Sequence, residues 1–441
     1  RELYAKDSDD VDEVREKART FDEEIYPALE RYRELLDLHT GVHFGSGLDE
    51  EVYAQLGTVV DDPAAWARLK AAQLNGLLAQ SADERWFHWE LEFPEVLLSR
   101  RQIPPCEGFG SAGFDVVLGN PPYANQPPEA HLLFSTLYAS YDSGDLYTLF
   151  VEVMTQVSAD DAYGGMILPL SMTFSRYMRS LRAKLEEGSR HWFVSSFDRI
   201  PDALFGSNVR TRNSIALMNP SDDSRFHLST GPLLRWFSSE RQNLFSFLRY
   251  YTADKVPHSG LGWPKLGSGG QAETLSHLLS EPHRLGDIFL SRSRDPEAPV
   301  VYYSQTAYNW LTATRRLPPV YDKGGSVLSQ TKYGNIALQS EKDAWFALSI
   351  LTSSFTFWFW LVYGDGFDVT KSLLKAIPIS PAHFSTRTYR KLVELGREIQ
   401  REMERHVVFK WNAGKKIGNY NLRRCRHLTH LGLWTTGIDR P

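Results

Sequence analysis

Asn120-Pro121-Pro122-Tyr123 is the stretch of this chain whose residue types and order best suit a reaction, because it follows directly on the apolar run Phe114 to Leu118 and on Gly119. Proline fixes its own backbone and steers the preceding residue away from the helical region. The Asn120 side-chain oxygen and the Pro121 carbonyl are therefore expected to form a rigid pair of acceptors. The N6 amine of adenine is a poor nucleophile, since its lone pair is delocalised into the ring. Two fixed acceptors that take both of its N–H hydrogens would turn that lone pair toward an incoming methyl group. Tyr123 offers a flat face for a base that has left the double helix, as the base must before its amine can be reached. Neither a metal ion nor a covalent nucleophile is needed.

The elements that must position these residues can be read from spacing. Phe114, Val116, Val117 and Leu118 read as a short buried parallel strand, and open α/β sheets place their ligands at the carboxyl ends of such strands. Residues 1–80 read as helices. Further on, the pattern predicts a helix over 145–157, a strand over 165–170, a helix over 174–187 and strands over 192–198 and 213–218. In the first of these helices Leu146, Leu149, Phe150, Val153 and Val157 follow the spacing of a packed face. Asp145 at the helix start and Asp198 at a strand end read as a cap or structural carboxylates. From about 223 to 385 short segments are broken by Gly and Pro.

The chain resembles the gamma-class N6-adenine DNA methyltransferases, in particular the large fused forms of restriction-modification and of BREX- or DISARM-like phage defence. Besides Asn120 to Tyr123, the resemblance is carried by Phe87-His88-Trp89-Glu90-Leu91-Glu92-Phe93-Pro94-Glu95-Val96, Gly144 to Glu152, Gly164-Gly165-Met166-Ile167-Leu168-Pro169, Gly364 to Val369 and Gly418 to Arg426. It implies an α/β fold with the catalytic half of a Rossmann-like methyltransferase sheet, a helical N-terminal segment and a mixed α+β target-recognition domain. The implied layout is 1–85 helical and acidic, 86–222 catalytic, 223–385 target recognition, and 386–441 a helix with a basic C-terminal tail. The implied activity is site-specific methylation of adenine N6 in double-stranded DNA, with the adenine flipped out and S-adenosyl-L-methionine as cofactor. Asn120, Pro121, Pro122 and Tyr123 are then catalytic, and Phe205 is the candidate second aromatic wall around the base. Arg292, Arg294, Arg315 and Arg316 in the recognition region are candidate DNA contacts. So are Lys415, Lys416, Arg423 and Arg424 near the C-terminus, and Gln305, Asn309, Gln330 and Lys332 are of the types that read base edges or hold phosphates.

One expected part has no convincing copy. The family binds its cofactor through a glycine-rich turn that follows a strand and opens a helix. Gly108-Phe109-Gly110-Ser111-Ala112-Gly113 fits the spacing but follows Pro104-Pro105 and opens a strand. Phe44-Gly45-Ser46-Gly47 follows a charged helix end, and reads either as the cofactor turn, through Gly45 and Gly47, or as an ordinary helix-terminating turn. The chain begins at Arg1, so the simplest expectation is the C-terminal part of a longer protein whose upstream segment holds the turn. Two alternatives therefore stay open: a DNA-recognition scaffold inactive without that segment, or a part of a fused restriction endonuclease-methyltransferase. Protein glutamine methylation uses the same four-residue loop, but the long recognition-like C-terminal region argues for a DNA substrate, with an upstream segment or other defence-system subunits as further partners.

Composition fits this picture. A length of 441 residues exceeds one core, so two to three domains are expected, and 42% hydrophobic with 13% aromatic residues is ample for burial. Two cysteines, Cys106 and Cys425, exclude a disulfide framework and a cysteine-rich zinc site, and no metal is expected. The net charge of −5 divides unevenly: residues 1–100 hold 11 Lys+Arg against 23 Asp+Glu, a balance of −12, and the remainder carries +7. Residues Arg401 to Arg426 gather cations interleaved with Trp411 and Tyr420, which suits phosphate contact, the alternative being a solvated basic tail. Ala344 to Tyr363 is long enough to cross a bilayer, but its central Ser and Thr residues favour a buried helix, and no membrane partner is expected. The expected location is cytoplasmic and nucleoid-associated.

Overall fold

The computed structural model describes residues 10–43, 50–71, 86–97, 112–206, 211–257, 260–290 and 297–425. The chain divides into two compact units, Arg1–Gly165 and Met166–Pro441. It is a mixed α/β chain.

The first unit opens with helices α1 (Val11–Thr20), α2 (Tyr26–His43), α3 (Glu50–Val59) and α4 (Pro63–Leu69). The highly charged α1 buries no residue, as a solvated face should. The other three close on a small core of Leu38, Leu56, Val60 and Trp66. Asp62 caps α4 by accepting from the Ala64 and Ala65 amides, with Pro63 at the first helical position, where a missing N–H does no harm. Residues 86–97 carry the short helices α5 (Trp89–Glu92) and α6 (Pro94–Leu97). They are tied to α2 by His88–Asp37 at 2.7 Å and Arg33–Glu92 at 2.8 Å. Phe93 meets Phe114 edge-on at 5.1 Å, so this aromatic segment packs against the start of β1 (Phe114–Gly119).

Strand β1 lies beside β2 (Ser158–Pro169), inside which the division between units falls. At Gly113 the approach is so close, with φ +129, that a Cβ would lie 2.4 Å from the Ala159 nitrogen. Strand β1 is not buried on both sides, however. Val116 and Leu118 are 57% and 76% exposed, which departs from the buried strand its composition predicts. Helices α7 (His131–Leu137) and α8 (Leu146–Val157) complete the unit. Helix α8 buries Tyr147, Leu149, Val151, Met154 and Val157 and leaves Phe150 44% exposed, so its buried face is rotated from the one its spacing predicts. The helix is apolar nearly all round, and periodicity alone cannot orient such a helix.

In the second unit β3 (Arg190–Phe197) pairs antiparallel with β4 (Asn213–Pro220) and parallel with β5 (His227–Leu234), and β6 (Tyr251–Thr252) flanks β5. The expected helix over 174–187 is broken. Ser175 is extended and caps a 3₁₀ turn, which separates α9 (Ser171–Phe174) from α10 (Arg179–Glu186). Helix α11 spans Gly269–Ser280. Beyond it stand two small sheets: β11 (Tyr333–Ala337), β7 (Val300–Ser304) and β8 (Ala313–Thr314) in one, and β10 (Val327–Leu328), β9 (Val320–Tyr321), β13 (Lys415–Tyr420) and β12 (Val407–Asn412) in the other. The long uncharged stretch becomes α12 (Glu341–Leu351) and α13 (Ser354–Tyr363), bent by 66° at a break where Ser353 caps the second helix. Among the described residues no single helix is long and apolar enough to cross a membrane. Phe346, Ala347 and Leu348 are fully buried, and α12 packs on α15 (Thr386–Arg405), which follows the short α14 (Lys371–Lys375).

Residues 407–420, expected as a basic tail, form the β12–β13 hairpin. Gly418 makes its junction with β9 possible: its amide donates to the Pro319 carbonyl at 2.8 Å, and a Cβ there would lie 2.6 Å from that oxygen.

Candidate active site and nucleic-acid interface

Asn120 is exposed directly beyond the end of β1, Pro121 is buried, Pro122 is exposed and Tyr123 is 40% exposed. The Tyr123 ring stands edge-on to Tyr147 of α8, 6.4 Å between centroids. An anchored tail thus follows an open head. The Ala124 carbonyl accepts from the Leu146 amide and the Gln126 amide donates to the Gly144 carbonyl, both at 2.8 Å. The Gln126 side-chain nitrogen donates to the Asp145 carbonyl at 3.2 Å. Gly144 takes φ +76, a left-handed conformation that suits glycine.

The turn that receives the loop is fixed in its own right. Buried Glu152 of α8 accepts from the amides of Ala139, at 3.0 Å, and Ser140, at 2.6 Å. Thr148 donates to the Asp145 carbonyl at 2.7 Å. Asp145 stands at the cap position of α8 but makes no side-chain cap bond, and burial pushes its carboxyl above the usual carboxylate range. A carboxylate, a glycine turn and an amide therefore connect α8 to the four residues that could meet a base. The Gly144 to Glu152 segment was visible in the sequence, whereas the roles of Gln126 and Glu152 were not.

The remaining candidates lie in the second unit or outside the described residues. Phe205 is 45% exposed. Arg315 lines up with both oxygens of Glu341 at 2.8 Å, donates to the Val300 carbonyl and lies over Trp345, and burial lowers its pKa. That engagement leaves little of its guanidinium for phosphate. Arg316 is exposed and reaches Glu404 at 3.4 Å. Lys415, Arg423 and Arg424 are exposed, and Lys416 lies over Phe409 at 4.9 Å. Asn309 accepts from Arg235, and the Gln330 side-chain nitrogen donates to the Pro318 carbonyl. Asp198 is a structural carboxylate as expected, accepting from Arg212 at 2.7 Å and Arg235 at 2.9 Å. Arg292, Arg294, Gly45 and Gly47 lie outside the described residues.

The resemblance requires a seat for S-adenosyl-L-methionine. Of the Gly108 to Gly113 run only Ala112 and Gly113 are described, and the bare Cα of Gly113 is taken up by Ala159. Among the described residues of the first unit no glycine-rich turn leads from a strand into a helix.

Residues 61–198, which bracket the Asn120 loop, match the family model of the Eco57I restriction-modification methylase. No curated protein sequence matches the chain. Among solved structures, the chain is similar to a nuclease-deletion mutant of the Type ISP restriction-modification enzyme LlaGI in complex with a DNA substrate mimic, at 14% identity and TM-score 0.37, covering 66% of this chain and 42% of that one. It is similar to the Type IIL restriction-modification enzyme MmeI in complex with DNA, at 12% identity and TM-score 0.36, covering 66% and 50%. A DrdV–DNA complex matches at 12% identity and TM-score 0.34, covering 66% and 44%. The chain thus spans half or less of the length of these structures.

Proposed function

We propose that this chain carries the base-holding half of a DNA methyltransferase of the restriction-modification type, with adenine N6 as the methylated atom and S-adenosyl-L-methionine as the donor. One observation carries the reading. The exposed Asn120 and partly exposed Tyr123 sit at the carboxyl end of a strand, on a loop whose following residues are bonded to the start of α8. In this reading the Asn120 side-chain oxygen and the Pro121 carbonyl accept the two amine hydrogens, and Tyr123 stacks on the flipped adenine. Binding and orientation supply the rate, more than proton transfer. The match of residues 61–198 to a restriction-modification methylase model supports the assignment of the segment. The test is transfer of labelled methyl from S-adenosyl-L-methionine to unmethylated bacterial DNA, beside Asn120→Ala. Transfer that disappears in the variant upholds the reading; equal transfer by both overturns it.

A second reading has its own support in the exposed apolar side of β1, where Val116 and Leu118 face solvent. In this reading the chain recognises DNA yet transfers nothing alone. Equilibrium dialysis with S-adenosyl-L-methionine separates the two readings: retention of the donor by this chain rules the second one out.

A further inference from the structure

The β12–β13 hairpin, with Ser304 and residues 330–333, encloses an open groove of about 790 Å³ in the second unit. Its floor is one face of the hairpin, since Val408 stands opposite Asn419 and Lys410 opposite Ile417. Lys332, Lys410 and Arg423 line it, and among the described residues no carboxylate does. A concavity with three cations and no acid is built for an anion. Its phenols add no negative charge near neutral pH: burial pushes Tyr333 up to about 12, and the Tyr420 hydroxyl donates to the Arg316 carbonyl at 2.7 Å.

A phosphate ion alone would use neither the size of the groove nor the rest of its lining. Trp411 is 65% exposed at its rim. Asn412, Asn419 and Asn421 bring amide side chains of the kind that pair with base edges. Cations, an exposed indole and amides along one open channel are the features with which proteins hold unstacked nucleotides.

We propose that this groove holds an unpaired stretch of nucleic-acid strand, with Lys332, Lys410 and Arg423 on its phosphates, Trp411 against a base and the three asparagines at base edges. It deepens, and rests on, the reading of the chain as a nucleic-acid enzyme, and it assigns a binding site separate from the Asn120 loop.

The test is fluorescence anisotropy of the full chain with a short labelled oligothymidylate and with a duplex of equal length, from about 50 to about 200 mM salt. The expected result is tighter binding of the single strand. The double variant Lys410→Ala/Arg423→Ala should weaken it about tenfold or more and reduce the salt slope by about 1.4, the value for two lost phosphate contacts on a single strand. Trp411→Ala should weaken it about tenfold and remove the tryptophan quenching that accompanies binding. Lys410→Arg/Arg423→Lys should bind as the parent does, and thermal melting should match across the set, which separates lost contacts from lost folding. Lys255→Ala, at an exposed lysine paired with Glu273, is the charge control. Binding by the double variant equal to that of Lys255→Ala overturns the proposal. Tighter binding of duplex overturns the assignment to an unpaired strand. If Asn120→Ala transfers methyl as the parent does while oligothymidylate binding depends on Lys410 and Arg423, the methyltransferase reading fails and the groove stands. If methyl transfer depends on Asn120 while the double variant binds undiminished, the groove alone falls.

Discussion

The Asn120 loop and the β12–β13 groove are built on opposite plans. The loop is made of consecutive residues without a formal charge, and main-chain hydrogen bonds to a turn some 20 residues further on hold it. The groove is drawn from Ser304, from residues 330–333 and from residues 408–423, and its cations reach into it on long side chains. A reaction on an amine needs acceptors fixed within a fraction of an ångström, and short local connections supply that. Attraction to phosphate falls slowly with distance and tolerates loosely held charges. Damage to the loop should therefore abolish an event, and damage to the groove should weaken an affinity.

The sharpest way to break this contrast is Asn120→Ala. It should lower methyl transfer by about 10²–10³-fold or more, as loss of one fixed polar partner does, while DNA affinity stays near that of the parent. A matching loss of affinity in an anisotropy titration would dissolve the distinction. Next in size is Glu152→Ala, which strands the buried Ser140 amide and the half-buried Ala139 amide and should cost about 2–4 kcal/mol in a urea titration, and lower transfer without touching a base-holding residue.

A third prediction concerns Lys265, whose amine is buried with no hydrogen-bond partner among the described residues. Burial lowers its pKa from 10.5 to about 7, opposed by nearby Asp365. The folded protein thus releases this proton at a lower pH than the unfolded chain does. The penalty is present in full below about pH 7, shrinks as pH rises, and is gone above about pH 10.5. Lys265→Met should accordingly stabilise by about 1–3 kcal/mol at pH 6, with the gain fading toward pH 10 in melting curves. A gain independent of pH would sink this account. The smallest effect is expected at Gly418, where alanine forces the hairpin away from Pro319. Gly418→Ala should reduce single-strand affinity by about three- to fivefold, roughly 1 kcal/mol, with methyl transfer per bound DNA unchanged.

What was legible in the sequence follows the same contrast. Strand β1, its proline loop and helix α8 were readable because apolar runs, Gly119 and two prolines are contiguous signals. The sequence pattern predicts only the last residues of β2, because Ser158 to Gly165 is polar and glycine-rich and becomes strand only through its neighbours; Ala159 and Ala162 are each 1% exposed. The break at Ser175 is invisible in the helical pattern, because an extended residue capping a 3₁₀ turn leaves little trace in it. The cations of 401–426 were visible as a basic segment. The groove was not, because it depends on β13 pairing with β9 nearly a hundred residues away, through Lys416–Tyr321 and Ile417–Val320.

Glu152 bears on how a collection of inactive variants should be interpreted. The carboxylate meets no base, yet it secures the turn to which the Asn120 loop is bonded. A screen that scores loss of modification would recover changes at Glu152 beside changes at Asn120, and ranking by phenotype alone would count both as reactive. Rescue by cooling, or by a stabilising second substitution such as Lys265→Met, would restore the former and leave the latter silent.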